Sequence, residues 1–137
     1  MKWQMPIGVD NFFDIRSKHY YFVDKTDFIR QLIDGHSAVT LITRPRRFGK
    51  TLTLSMLEYF FSIEKEAQSR HLFDGLAIDR AGADYMAQRG QYPVLFLSLK
   101  DLKDLTWPQM LQSLSSWISY WFIDHDYLAD SPSVNPD

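Results

Sequence analysis

The sequence predicts an α/β fold, a short parallel sheet flanked by helices, on three observations. Residues 38–43 (AVTLIT) and 94–99 (VLFLSL) are short apolar runs without charge, as expected of strands buried on both faces of a parallel sheet. Residues 50–63 carry Leu52, Met56, Leu57, Phe60 and Ile63 at helical spacing, so a helix follows the first strand after one short loop. The length of 137 residues gives room for one domain with one core.

The other elements follow in order. Residues 24–35 (DKTDFIRQLIDG) predict a helix: Asp24 or Thr26 caps its start, Phe28, Leu32 and Ile33 share a face, and Gly35 takes the left-handed position at its end. Gly75, Gly82 and Gly90 punctuate short segments, with a helix over 83–88. Pro93 introduces the second strand, and residues 101–104 read as a loop. Thr106 and Gln109 have capping-box spacing, with Pro108 in the first turn. The helix they open runs to about residue 126, and its stripe of Trp107, Met110, Leu111, Leu114, Trp117, Ile118, Trp121 and Phe122 reads as the face that packs on a core. Residues 1–129 are taken as one domain portion and 130–137 as a frayed polar tail.

Composition removes several function classes. With no cysteine there is no disulfide scaffold, thiolate zinc site or cysteine nucleophile, and a reducing cytoplasm suits the chain. The apolar runs fall short of a membrane span. His19, His36, His71 and His125 lack metal-ligand spacing, and no G-x-S-x-G elbow marks a serine nucleophile. The net charge is −2, yet residues 1–50 hold nine basic and five acidic residues and residues 51–137 six and twelve. Arg44, Arg46, Arg47 and Lys50 concentrate positive charge in the first part, which favours a local anion site over a whole-protein polyanion surface.

That cluster lies in RPRRFGKT, between the first strand and its helix. Strand, tight basic loop, Gly-Lys-Thr and helix form the arrangement of a phosphate-binding P-loop. Backbone N–H groups at the helix start and the helix dipole face phosphate oxygens. Lys50 reaches the β- and γ-phosphates, Thr51 offers its hydroxyl to Mg²⁺, and Gly49 lets the main chain approach. Arg46 and Arg47 meet phosphate oxygens, sense the γ-phosphate or lie on the surface. The usual first glycine of such loops is Arg44 here.

The stretch ITRPRRFGKTLTLSMLEYFF, with YYFVDKTDFIRQLI and IGVDNFFDIR before it, resembles the N-terminal portion of the predicted AAA-ATPase-like family of bacterial proteins. The likeness is close over residues 6–61 and looser over YPVLFLSLKDL and the helix after it. Family members resemble one another in carrying RPRRFGKT, which makes Arg44 part of the signature. The resemblance implies ATP and Mg²⁺ as cofactors, held by Arg44, Arg46, Arg47, Phe48, Gly49, Lys50 and Thr51, and puts YFVDKT beside the nucleotide. Tyr20, Tyr21, Phe22 and Val23 therefore either stack on a base or close one edge of the core. The resemblance further implies a downstream strand with an Asp-Glu pair that holds Mg²⁺ and polarises water, and a longer protein usually ending in a PD-(D/E)XK nuclease-like domain. Residues 94–99 lack such a pair.

The leading expectation is thus a partial P-loop NTPase fold that binds ATP without hydrolysing it independently. Two alternatives stay open. One is nucleic-acid binding by RPRR and its neighbouring aromatics, which predicts steep salt dependence. The other is an interaction fragment whose apolar face requires a protein partner or self-association.

Overall fold

The computed structural model describes residues 4–43, 49–98 and 103–130. Within them the chain is helical, and the expected short parallel sheet is absent: the only β-pairings among the described residues are two isolated parallel bridges, Gln4 with Tyr20 and Ser62 with Tyr92. Residues 38–43 form no strand, and Val39 and Leu41 are 85% and 84% exposed. Residues 94–98 also form none, with Leu95 and Leu97 exposed, and residue 99 lies outside the described residues. The reason is physical. An apolar, β-branched run becomes a buried strand only when a neighbouring strand takes its backbone groups and a second layer covers its face. Neither run has such a neighbour among the described residues.

The chain divides into two compact units, Met1–Val94 and Leu95–Asp137. The first unit builds its core from short helices. Helix α1 (Phe12–Ser17) starts where Asn11 accepts a hydrogen bond from the Asp14 N–H, and it buries Phe12 and Ile15. Helix α2 spans Asp27–Gly35, three residues shorter at its start than the sequence suggests, and the left-handed residue at its end is His36 rather than Gly35. Helix α3 (Lys50–Phe61) buries Thr53, Ser55, Met56, Tyr59 and Phe60.

Phe12 stacks on Phe73 at 4.9 Å between ring centres, and Phe60 meets Phe73 edge-on at 5.1 Å. Ile29, Met56 and Ile78 close the cluster. The buried Phe12 N–H, which no turn of α1 can satisfy, donates to Ser55 Oγ at 3.0 Å. Helix α1 is thereby fixed to α3 by a polar bond as well as by packing.

Helices α4 (Glu66–Ser69), α5 (Ala77–Arg80) and α6 (Ala83–Met86) complete the unit. The last is two residues shorter than expected. Arg89 donates to the Glu66 carbonyl and to Ser69 Oγ, and the Gly90 N–H donates to the Phe60 carbonyl at 2.8 Å. Gly90 has φ +67° and a Cβ there would meet Glu66 Cγ at 2.5 Å, so only glycine fits this crossing.

The second unit holds helix α7 (Trp107–Asp124) and a 3₁₀ turn over Asp126–Leu128. Thr106 is extended and precedes Pro108 as expected, but its side chain makes no capping bond. No residue of α7 is buried. Within its own unit the expected packing of the aromatic stripe on a core is not met: Trp107 and Phe122 are 72% and 75% exposed, and Trp117 finds Trp121 of the same helix, with ring centres 5.6 Å apart. A stripe at helical spacing states which residues share a face and leaves open whether anything covers it. No helix among the described residues is long and apolar enough to cross a membrane.

Candidate functional site

The start of α3 is shaped by two residues. Gly49 sits at the cap with φ +77°, the left-handed region, and apart from its chain neighbours no atom of the described residues lies within 4 Å of where its Cβ would stand. Backbone conformation rather than crowding calls for glycine there. Thr53 then ties the cap to the helix, because its N–H and its hydroxyl both donate to the Gly49 carbonyl, at 2.9 and 2.8 Å.

Gly49 has no side chain to cap the helix, so among the described residues the first-turn amides of α3 have neither an intrahelical acceptor nor a capping side chain. Such donors, with the positive end of the helix dipole, suit an anion. Lys50 and Thr51 occupy this first turn and are exposed. Among the described residues, Lys50 forms no ion pair and the Thr51 hydroxyl no hydrogen bond, in contrast to the engaged Thr53. Arg44, Arg46, Arg47 and Phe48 lie outside the described residues.

Beside Gly49 a cavity of about 410 Å³ is lined by Pro6, Tyr21, Val23, Leu52 and Met56, with Lys25 and Thr53. The wall is built from the N-terminal segment. The Tyr21 N–H donates to the Gln4 carbonyl at 2.9 Å, which brings Met5 and Pro6 alongside residues 20–23. Alternation then divides the aromatic run. Phe22 turns toward the core, 5.5 Å from Phe12 between ring centres, while Tyr21 and Val23 stay exposed on the cavity. The core reading of this segment is thus met by Phe22, which also lines the cavity with Tyr21 and Val23.

Asp24 and Thr26 do something the sequence did not predict. Asp24 Oδ1 accepts from the Thr26 N–H and hydroxyl at 2.9 and 2.6 Å, and Oδ2 accepts from the Ala77 N–H at 2.7 Å. The fully buried Thr26 Oγ1 accepts from the Ile78 N–H at 3.1 Å. Thr26 makes no side-chain cap on α2; the two side chains instead clasp the start of α5. Partial burial of Asp24 acts to raise its carboxyl pKa, but the bonds from Thr26 and Ala77 and the nearby Arg80 outweigh it and hold the group below the usual carboxylate range.

The structure therefore brings Gly49, Leu52 and Thr53 to one cavity with Tyr21 and Val23, while Lys50 and Thr51 follow Gly49 in the first turn of α3 and are not among the residues that line it. Sequence reasoning did not anticipate Thr53 or Lys25. For Thr53 a signal existed, since a threonine four residues after the capping glycine can bond back to its carbonyl. For Lys25 the resemblance puts its segment, YFVDKT, beside the nucleotide, but its place on the cavity follows from a clasp to residues fifty positions away. No group of three or more metal-ligating side chains occurs among the described residues.

Comparison with known proteins bears on this geometry. Residues 6–134 match the family described as Predicted AAA-ATPase. A protein of Azotobacter chroococcum mcd 1, described as an uncharacterized protein in the vnfD 5' region, is 38% identical over 108 residues, covering 74% of this chain and 19% of that protein. The chain thus spans about a fifth of that relative's length. No solved structure matches the chain.

Proposed function

The chain belongs to the predicted AAA-ATPase family, and on that premise we propose that it binds ATP with Mg²⁺ at the start of α3 without hydrolysing it independently. One observation carries the reading: an uncapped helix start bearing Lys50 and Thr51 opens beside an apolar cavity of about 410 Å³. That volume lies within the roughly 300–1,000 Å³ usual for small-molecule sites. In this reading the base enters between Tyr21, Val23 and Leu52, and the phosphates meet the first-turn amides and Lys50.

The residues present fit the metal, since the exposed Thr51 carries a hydroxyl that no neighbour among the described residues engages. Bound Mg²⁺ would neutralise phosphate charge there. Arg44, Arg46, Arg47 and Phe48 complete the proposed loop. Absence of hydrolysis is proposed because, among the described residues, no carboxylate lines the cavity to orient an attacking water. ATP supply, and a chain without cysteine, make the cytoplasm its proposed location.

Calorimetric titration with ATP, with and without Mg²⁺, tests the reading. Lys50→Ala should abolish binding while leaving the thermal unfolding curve in place, because Lys50 is exposed. Equal affinity in parent and variant would defeat it.

A second reading, association with a protein partner or with itself, is favoured by the exposed Val39 and Leu41 and by the uncovered α7. Light scattering across a concentration series decides it. A monomer throughout, with no other protein bound, removes this reading.

A further inference from the structure

Lys25 has no assigned role, and its surroundings give it one. Its two neighbours in sequence are both committed: Asp24 to the N–H groups of Thr26 and Ala77, Thr26 to the N–H of Ile78. The backbone of residue 25 is thereby held between two fixed points. Lys25 lines the cavity that Gly49 and Thr53 also line, and among the described residues it is the only charged one on that wall. No acceptor among the described residues engages its ammonium group. An exposed ammonium on the wall of this cavity, engaged by no acceptor among the described residues, is available to pair with an anionic ligand there.

We propose that Lys25 is a second phosphate-binding lysine, contributed by the segment before α2, which faces the polyphosphate of a bound nucleotide opposite the start of α3. This rests on the nucleotide reading above and deepens it. A further ammonium from a separate element adds attraction on another side of the chain of phosphates. Asp24 and Thr26 act through Lys25 as positioning residues.

The experiment measures binding of Mg-ATP by the full chain, and competition by inorganic tripolyphosphate, for the parent, Lys25→Met and Lys25→Arg. Lys25→Met should weaken ATP and tripolyphosphate by the same factor, about tenfold, and Lys25→Arg should restore most of the loss. The substituted residue is exposed, and coincident thermal unfolding curves check that fold is unchanged. Parent-like affinity in Lys25→Met overturns the proposal while leaving the nucleotide site standing. Loss for ATP with none for tripolyphosphate also overturns it, because the lysine would then touch the base. A parent that binds neither ligand ends both this proposal and the nucleotide reading.

Discussion

Helices α3 and α7 make an instructive pair. More than half the residues of each are apolar, and α7 is the longer by six, 18 residues against 12. Yet α3 buries five residues and α7 none. The difference lies in what each is given to pack on. Around α3 stand Phe12 of α1, Phe73 and Ile78, with Ser55 bonded to the Phe12 amide. In its own unit α7 has a loop and one 3₁₀ turn, and its tryptophans turn to each other. Apolar content gives a helix the capacity for burial; neighbours decide whether that capacity is used.

The comparison can be broken first at its strongest point. Phe60→Ala removes a fully buried ring from between Phe61 and Phe73 and should lower unfolding free energy by about 3–5 kcal/mol. Urea denaturation gives the value. A loss under about 1 kcal/mol would mean that α3 is no better packed than α7.

A smaller effect is expected at the clasp, where polar bonds rather than rings hold the first unit. Because the folded pKa of Asp24 lies below its ordinary value of 3.8, its contribution is fully present above that value. It is lost as pH falls through the lower folded pKa. Asp24→Asn should therefore be less stable than the parent at neutral pH and converge with it in acid, as thermal melts at pH 7 and pH 2.5 would record. A constant gap would show that the carboxylate charge plays no part.

The smallest effect belongs to α7. Phe122→Ala, at a ring 75% exposed, should change unfolding free energy by no more than about 0.5 kcal/mol. A loss approaching that of Phe60→Ala would reveal a cover over α7 and dissolve the contrast between the helices.

Legibility in the sequence followed the range of the interactions. Helix α3 was readable because the spacing of Leu52, Met56 and Phe60 is a local property, and Gly49 with Lys50 and Thr51 marked its start. Helix α7 was readable for the same reason, though the fate of its stripe was not. The two expected strands failed because burial in a sheet depends on partners elsewhere in the chain, and AVTLIT says nothing about whether they exist. Helix α1 was missed although Asn11, Asp14 and the spacing of Phe12 and Ile15 announce it. Of the cavity wall, the family resemblance pointed to the YFVDKT segment, but not to its arrangement: Tyr21 and Val23 line the cavity while Phe22 docks on Phe12, and Lys25 does so with its neighbours clasped to α5.

The clasp also sets an order of events during synthesis. Asp24 and Thr26 leave the ribosome well before Ala77 and Ile78, the residues 53 and 52 positions later whose amides they hold. Until that later stretch emerges, the stretch carrying Tyr21, Val23 and Lys25 is not fixed, and closing so long a loop costs entropy before any bond repays it. The nascent chain therefore displays Gly49 and Leu52 while the wall that carries Tyr21, Val23 and Lys25 is still unanchored. The cavity is completed from its far end, and a chain halted before residue 77 would lack it.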